Sequence, residues 1–329
     1  MPCHIARFQH RTTGKHGWAL MTKDTDNTEN LYSIEGDYPD TQRFLEEGKT
    51  IAFAMMKDPA LRKRPKLDTT EIELLSPITA PCRLICQGAN YPSSRRELGM
   101  DPDDKSFNSL FHKSDASLSG PYDDIIKPDH VQLLDYELEL AIVIGQPIES
   151  PQTITQQNLH QYVAGIVMVQ DVTARDIQIP EGQFFKGKSY RTFCPTGPYL
   201  CLLEPNEMHY LSQCQLKLSV NDELRQNDNS QNMIFKPEES LSELSHITNL
   251  SPGDMLLTGS PGGCALSVPP APLVKLMGLL PERLKWQAFI KRQSANPQYL
   301  KAGDQIVASI GTADGEVNLG TQINRVCGG

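Results

Sequence analysis

Residues 135–145 read DYELELAIVIG, and the apolar, β-branched run that begins at Leu138 is typical of a β-strand. Successive side chains of a strand point to opposite faces, so Glu137 and Glu139 are expected to share one face with Asp135. Neighbouring carboxylates repel one another unless a cation lies between them, and hard cations such as Mg²⁺, Mn²⁺ or Ca²⁺ prefer oxygen ligands. This segment alone leaves two interpretations open, a solvated acidic face and a metal site.

A second acid follows another apolar strand. Residues 165–176 read GIVMVQDVTARD, in which Asp171 ends the apolar run and Arg175 comes four residues later. Catalytic acids are commonly presented where a strand gives way to a loop. Asp171 could therefore complete a three-carboxylate site with Glu137 and Glu139, although an aspartate here could equally cap the start of a helix.

Two further segments could carry chemistry. Lys188, between Gly187 and Ser189, could reach a substrate carboxylate or an enolate oxygen and exchange a proton, or it could be an exposed loop lysine. Residues 253–263 read GDMLLTGSPGG, which predicts a tight turn, a strand and a glycine-rich loop whose N–H groups can bind an anion. The loop lacks the lysine of a nucleotide-binding P-loop, so the sequence does not indicate ATP binding.

Composition excludes several classes of protein. The chain has 329 residues and a formal net charge of −9, which argues against sequence-independent binding of nucleic acid. No apolar run approaches the ~18 residues of a membrane span, and no apolar segment follows the basic N-terminal residues as a secretory signal would require. The eight cysteines lack the spacing of a zinc site. We therefore expect a soluble, cytoplasmic enzyme with neither a nucleic-acid nor a membrane partner.

The distribution of apolar segments predicts the fold class. Residues 1–78 hold short mixed segments and predict a small N-terminal β-rich domain, followed by a main domain over residues 79–329. Short strands without βαβ alternation favour an α+β, mostly β main domain over a doubly wound sheet. Helices are expected at 155–161, 237–245 and 273–291, the last broken by Pro281. A helical insert at 266–298 could cap a site, widen a dimer contact or simply add packing.

Motifs spread along the chain resemble those of the fumarylacetoacetate hydrolase (FAH) family. In order, they are Asn90-Tyr91 with Glu97, residues 135–145, residues 170–176, Gly187-Lys188-Ser189, residues 195–198, Gly253-Asp254 with residues 258–261, and Gly303-Asp304. The resemblance covers roughly residue 81 to the end. It implies an FAH-type mixed β-roll or barrel, a homodimer, a bound Mg²⁺, Mn²⁺ or Ca²⁺, and a small oxo-acid substrate.

The resemblance also implies roles for particular residues. Glu137, Glu139 and Asp171 are the implied metal ligands, and Lys188 matches the family lysine near the metal. Glu97 and Ser94 occupy the positions of the catalytic base region. The positions implied to contact substrate are Tyr91, Arg175, Gln178, Thr258, Gly259 and Ser260.

One departure from the family pattern bears on the reaction. Ser94 stands where hydrolytic members have the histidine that, with a glutamate, activates water. Glu97 would then act alone, or His112 would reach in from the next loop. The leading hypothesis is a catabolic hydrolase that cleaves a C–C bond of an acylpyruvate-like 2,4-dioxo acid through a metal-stabilised enolate. The alternatives are an oxo-acid tautomerase, isomerase or oxaloacetate-type decarboxylase, and an inactive metal-binding scaffold.

Overall fold

The structure is a computed structural model that describes residues 1–24, 26, 28–268 and 278–329. The strands in the first half of the described chain are β1 Cys3–His10, β2 His16–Lys23, β3 Glu29–Ile34, β4 Ile72–Leu75, β5 Leu84–Gly88, β6 Ser109–Lys113, β7 Leu118–Ser119, β8 Ile125–Lys127, β9 Leu134–Asp135 and β10 Leu138–Ile144. Those in the second half are β11 Val163–Gln170, β12 Thr173–Ala174, β13 Cys194–Leu202, β14 Gln215–Val220, β15 Glu223–Asn229, β16 Met255–Leu257, β17 Gln305–Gly311 and β18 Asn318–Gly328.

Helices are fewer and shorter than strands. The α-helices of the described residues are α1 Thr41–Arg43, α2 Lys49–Met56, α3 Pro92–Glu97, α4 Arg175–Glu181, α5 Phe185–Lys188, α6 Pro237–Ser245 and α7 Glu282–Gln293. A π-helical turn at Phe44–Gly48 joins α1 to α2, and 3₁₀ turns lie at Leu61–Lys63, Asp115–Ser117, Leu159–Gln161, Pro205–Ser212 and Ser230–Asn232. The predicted α+β, mostly β class is confirmed.

One large sheet organises the molecule. Its strands run in the order β3-β2-β1-β13-β11-β10-β16-β5-β6, with β4 beside β1 and β7 beside β13. A second sheet has the order β15-β14-β17-β18-β8, and β9 pairs with β12. Both large sheets are open at their outer strands, so the expected barrel is not found among the described residues, where no sheet closes on itself.

The N-terminal strands belong to the large sheet. Strand β1 pairs antiparallel with β13, with Cys3 opposite Leu202 and Ala6 opposite Tyr199. Residues on both sides of the predicted domain boundary at 78/79 therefore contribute to one sheet, and the division into two domains stays a prediction.

Strand β10 has the alternation that the sequence predicts. Leu138, Leu140 and Ile142 lie in one hydrophobic cluster together with residues of the second sheet. Ala141 and Val143 lie in another cluster that includes the buried side chains of β1, β2 and α2. The predicted strand is not continuous through the acids: it is interrupted at Tyr136 and Glu137, so Asp135 lies on β9 and Glu139 on β10.

Of the three predicted helices, the one at 237–245 is present and the other two differ from the prediction. Helix α6 spans the predicted residues, but 155–161 forms only the 3₁₀ turn at its end. Asn158 explains the difference, since its side chain accepts from the N–H of Thr155 at 2.7 Å and donates to the carbonyl of Thr153 at 3.0 Å. Such local bonds compete with helical hydrogen bonding.

The described part of the insert contains α7, which starts immediately after Pro281 instead of being broken by it. A proline is favourable at a helix start because the N–H it lacks would have no helical partner there. Phe289 of this helix is buried in the main hydrophobic cluster, so α7 does add packing. Of the rest of the predicted helix, residues 278–281 are not helical, and residues 273–277 lie outside the described residues.

Within the described residues, no helix combines the length and the apolar character that crossing a lipid bilayer requires.

Close contact between two central strands generates a first prediction. A Cβ added at Gly165 would lie 2.0 Å from the carbonyl oxygen of Cys201 on β13. We expect Gly165→Ala to lower the free energy of unfolding by about 3 kcal/mol, at the upper end of the cost of overpacking, as measured by urea denaturation. Gly328→Ala is the matched control, because nothing lies within 4 Å of its added Cβ. Equal stability of the two variants would contradict the close approach of β11 and β13.

Candidate functional site

The site lies where the apolar rows of the large sheet stop. On β10 the face that carries Ala141 and Val143 continues to Glu139, and on β11 the face that carries Val167 and Val169 continues to Asp171. The two strands are antiparallel, with Glu139 opposite Val169, so the start of one meets the end of the other. This pairing brings acids 32 positions apart in sequence to the same edge of the sheet.

Glu137, Glu139 and Asp171 form a compact triad. Each offers a carboxylate oxygen, these oxygens lie within 4.8 Å of one another, and all three residues are buried. The N–H of Asp171 donates to the carbonyl of Glu137 at 2.8 Å, which continues the strand pairing past the interruption before β10. The two glutamates and Asp171 thus lie together, as the three-carboxylate site predicted from the sequence requires.

Two buried lysines contact the triad. Lys188, at the end of α5, donates to Asp171 Oδ2 at 2.5 Å and also to Glu137 Oε2. Lys113, on β6, donates to Asp171 Oδ1 at 2.7 Å and is fully buried with it. Both oxygens of Asp171 therefore have a cationic partner. Lys188 is not the exposed loop lysine that the sequence also allowed.

A third cation lies on the other side of the triad. Arg175, the first residue of α4, donates through Nε to Asp135 Oδ2 at 2.8 Å and through Nη2 to Glu137 Oε1. Its Nη1 donates to Gln178 Oε1 at 2.9 Å, one helical turn later. Asp135 also accepts from the N–H groups of Ala265 and Leu266. Arg175 thus joins the strand of acids to α4 and to the start of the insert.

The glycine-rich loop contacts the third carboxylate. The N–H of Gly259 donates to Glu139 Oε2 at 2.9 Å. Gly259 has a φ of +86°, and a Cβ there would lie 2.8 Å from the Cβ of Asn90. Asn90 in turn donates to the carbonyls of Thr258 and Phe235. A residue other than glycine would therefore displace the loop from the acid.

The electrostatics of the triad are unequal. Burial, reinforced by the charges of Asp171 and Glu137, raises the pKa of Glu139 well above its usual range. Burial also acts to raise the pKa of Asp171, but Lys113 and Lys188 outweigh it and hold that pKa below the usual value. For Lys188, burial lowers the pKa and the carboxylates of Asp171 and Glu137 raise it, with a net upward shift.

The donor set fits a divalent cation. Four acids, Asp135 and the triad, face three cationic side chains. Burial, together with the charges of Asp171 and Glu137, raises the pKa of Glu139, and a further cation beside it would stabilise the buried carboxylate. Three carboxylates with converging oxygens are the ligands that Mg²⁺, Mn²⁺ and Ca²⁺ prefer. The identity of the ion stays a prediction.

A cavity of about 200 Å³ opens beside the triad. Its polar wall includes Glu137, Glu139, Arg175 and Lys188. The facing wall comes from α3 and the loop after it, and it includes the side chains of Ser94, Arg95, Glu97, Leu98, Met100 and Phe107. Phe111 and Phe184 complete the apolar part and stack with ring centroids 4.5 Å apart. The cavity is large enough for a small oxo acid.

Most residues with a predicted role meet at this cavity. Those that line it are Ser94, Glu97, Glu137, Glu139, Arg175, Gln178, Lys188 and Ser260. Asp171 is wholly buried against Lys113 and Lys188, outside the cavity wall. The roles of individual residues in binding and catalysis stay predictions.

Four residues that the sequence analysis named as candidates do not line the cavity. Tyr91 and Thr258 are fully buried outside its wall, where Thr258 Oγ1 donates to the carbonyl of Leu140 at 2.7 Å. Gly259 acts through its N–H on Glu139 instead of lining the cavity. His112 is exposed, because alternation along β6 turns Phe111 and Ser109 toward the cavity instead. The proposal that His112 replaces the missing histidine is therefore not supported by its position.

Glu97 lines the cavity and has a raised pKa, two features of a proton-exchanging group. Both its oxygens lie 2.9 Å from the N–H of Gly263. Loss of hydration raises the pKa of Glu97, although the hydrogen bond from Gly263 acts in the opposite direction. A carboxylate with a raised pKa at the wall of a cavity is better matched to proton transfer near neutral pH.

Sequence reasoning missed three residues of the site. For Lys113 the sequence offers one indication: it lies two residues after Phe111 on a short strand, so both side chains are expected on the same face. Gln226, on β15, donates to Ser260 Oγ at 2.7 Å and accepts from the N–H of Leu138 at 2.9 Å, so it joins the glycine-rich loop to β10. Arg95 lies beside the predicted Ser94 and Glu97 and lines the same cavity. No local pattern distinguishes Gln226 or Arg95 from surface residues.

The triad generates a second prediction. We expect Glu139→Ala to weaken the binding of Mn²⁺ by on the order of a hundredfold, because the charge and number of the ligands set the affinity of such sites. Isothermal titration calorimetry and elemental analysis measure the loss. Glu149→Ala removes an exposed glutamate and serves as the control for net charge. Unchanged metal binding in Glu139→Ala would refute the ligand assignment.

Comparison with known proteins agrees with the sequence resemblance. The chain is 34% identical over 300 residues to the mitochondrial oxaloacetate tautomerase FAHD2B of Bos taurus, which covers 90% of this chain and 82% of that protein. It is 32% identical over 311 residues to the oxaloacetate tautomerase FAHD2A of Homo sapiens, also named as mitochondrial, with 93% and 86% covered. These names do not support the predicted cytoplasmic location, which stays a prediction.

Solved structures share the fold. The fumarylacetoacetate hydrolase of Exiguobacterium antarcticum superposes with a TM-score of 0.70 at 28% identity, covering 99% of this chain and 100% of that one. A 2-hydroxyhepta-2,4-diene-1,7-dioate isomerase of Mycobacterium marinum has a TM-score of 0.68 at 22% identity, covering 99% and 98%. A sequence model described as fumarylacetoacetate (FAA) hydrolase C-terminal matches residues 83–327, and the chain therefore belongs to the fumarylacetoacetate hydrolase family.

Proposed function

We propose that the chain is a divalent-metal-dependent tautomerase that interconverts the keto and enol forms of a small 2-oxo acid such as oxaloacetate. The observation that carries this proposal is the composition of the cavity wall. Ser94 and Glu97 line it together, and none of the residues that line it in the described chain is a histidine. Hydrolysis needs an activated water, whereas tautomerisation needs only a proton acceptor at carbon and a proton donor at oxygen.

Relatives support the same reaction class. The bovine and human proteins described above are named oxaloacetate tautomerases. These names favour the alternative over the hydrolase that the sequence analysis placed first. The proposed reaction therefore moves a proton and breaks no C–C bond.

The metal site would supply stabilisation of the enolate. Glu137, Glu139 and Asp171 would hold the ion, and a bound divalent cation lowers the free energy of an enolate by drawing electron density from its oxygen. Lys188 keeps Glu137 and Asp171 in place through its two ion pairs. Arg175 does the same for Glu137 from the opposite side and connects it to Asp135.

The proton transfers are assigned to residues of the cavity wall. Glu97 accepts the proton from C3 of the keto form and returns it to C3 in the reverse direction. Lys188, whose carboxylate partners hold its pKa above the usual value, donates a hydrogen bond to the developing enolate oxygen. The oxygen then takes a proton from solvent and Glu97 releases the C3 proton to solvent, which completes the conversion of keto to enol. The aromatic side chains of Phe111 and Phe184 cover the apolar part of the cavity and limit access of water to C3.

The assignment of Glu97 is tested by removing its charge. We expect Glu97→Gln to slow enol-to-keto conversion of oxaloacetate by about 10²–10⁴-fold, the usual contribution of a general base, measured by loss of enol absorbance in the presence of Mn²⁺. Metal binding should be unchanged. Glu149→Gln is the matched control on the surface. A Glu97→Gln enzyme with full activity would exclude this base. No effect of the wild-type protein on any oxo acid, despite bound metal, would favour the inactive scaffold.

The raised pKa of Glu97 also predicts a pH dependence. In the keto-to-enol direction the carboxylate must be deprotonated to accept the C3 proton, so the rate in that direction is full above the pKa of Glu97 and falls as the pH decreases through it. Because the pKa is raised, the fall occurs at higher pH than an ordinary glutamate would give. The profile of kcat/KM for oxaloacetate should show this acidic limb in the wild type and lose it in Glu97→Gln. An identical limb in both enzymes would assign it to another group.

Hydrolysis of an acylpyruvate remains a second candidate, because positions 94 and 97 lie one turn apart on α3 and both reach the cavity. A histidine at 94 would stand next to Glu97. We therefore expect the wild type to leave acetylpyruvate uncleaved and Ser94→His to release some pyruvate and acetate. Ser94→Ala controls for loss of the hydroxyl. Cleavage by the wild type at a rate comparable to its tautomerase activity would restore the hydrolase hypothesis.

A further inference from the structure

Arg95 is a buried cation without an anionic partner. The residue is 3% exposed, and within the described chain no carboxylate lies at ion-pair distance from it. Its Nε donates to the carbonyl of Ala89 at 2.8 Å, and its Nη1 donates to the carbonyl of Asp104. The other buried cations of the site, Lys113, Lys188 and Arg175, each contact at least one carboxylate.

An uncompensated buried charge is unfavourable. Moving a charged group out of water costs far more than two neutral carbonyl groups return, so such groups in proteins are usually paired or face a charged ligand. Arg95 lines the cavity that also holds Glu137, Glu139 and Lys188. Its Nη2 has no hydrogen-bond partner among the described residues, which leaves one side of the guanidinium available for a ligand.

The surroundings of Arg95 suit one carboxylate. Leu98, Met100 and Phe107 line the same cavity as Arg95, and these apolar side chains offer no competing hydrogen bond. A guanidinium in a partly apolar setting binds a carboxylate through parallel, charge-assisted hydrogen bonds. The carboxylate and oxo oxygens of a 2-oxo acid would lie at the triad, so the anion at Arg95 would be a second one.

We propose that Arg95 binds the distal carboxylate of the substrate and so selects dicarboxylic oxo acids over monocarboxylic ones. This inference rests on the proposed function and narrows it to substrates of the oxaloacetate class. Arg95 is then a specificity-determining residue. An acylpyruvate, which carries an apolar acyl group in place of the second carboxylate, would leave the guanidinium unpaired.

A purely structural role is the competing explanation. Arg95 holds the carbonyl of Asp104 and therefore the loop that follows α3, whose residues Met100 and Phe107 line the cavity. Loss of that support would disturb the cavity for every ligand. A carboxylate-binding role would affect only ligands that carry the second carboxylate, and this difference is the basis of the test.

The test compares two unreactive ligands in the Mn²⁺-loaded enzyme. Malate and 2-hydroxybutyrate share the hydroxy-carboxylate group that chelates a metal, and they differ only in a carboxylate or a methyl group at C4. In the wild type we expect malate to bind more tightly by on the order of tenfold or more in isothermal titration calorimetry. Arg95→Met should remove this preference and leave the affinity for 2-hydroxybutyrate within about twofold.

Two variants complete the design. Arg96→Met removes an exposed arginine from the same helix and controls for net charge; it should keep the wild-type preference. Arg95→Lys keeps the charge and should retain part of the preference, and it replaces Arg95→Met if thermal melting shows that the methionine variant is unfolded. Equal weakening of both ligands in Arg95→Met, or an unchanged preference, overturns the assignment of Arg95. Failure of both ligands to bind the wild type overturns the proposed function itself.

Discussion

The contact of Lys188 with Glu137 and Asp171 holds the site together. These residues come from a short helix, from the interruption before β10 and from the end of β11, and one buried ammonium group contacts both carboxylates. Removing one partner of a buried ion pair typically costs about 3–5 kcal/mol because the remaining charge is left unpaired. The large sheet therefore sets the positions of the acids, and the lysines and Arg175 determine whether three neighbouring carboxylates can stay buried.

The candidate cation site lies at the ends of sheet strands, whereas the proposed proton-transfer group, Glu97, lies on a short helix. The triad lies on β10 or next to the ends of β10 and β11, and buried ion pairs hold Glu137 and Asp171. Glu97, by contrast, is on a helix of 6 residues and is linked to the glycine-rich loop by the N–H of Gly263. An enzyme that stabilises an enolate needs an exact arrangement of oxygen ligands, whereas its base must reach substrates at slightly different stages of proton transfer.

Alternation along a strand was enough to predict that Glu137 and Glu139 face the same way, and the apolar run before Asp171 predicted where that acid would emerge. Periodicity could not reveal which strands are neighbours, so the contact of Lys113 with Asp171, from a strand 58 positions away, was not foreseen. The resemblance to a family supplied the predicted roles of Lys188 and Glu97. It could not indicate a role for Arg95, because no feature of the local sequence shows whether an arginine on a short helix is buried or exposed. The sequence left a roll and a barrel open, because closure depends on pairing of the outermost strands, which no local pattern encodes; among the described residues no sheet closes.

Helix α3 presents positions 94, 95 and 97 to the cavity, while every candidate metal ligand comes from strands or their ends. Substitutions on this one helix can therefore change the reaction or the preferred substrate without altering the ligands of the ion. Substitutions on α3 change the cavity, whereas substitutions in the strands change the stability of the sheet. An architecture of this kind can therefore acquire new reactions through changes in a few neighbouring codons.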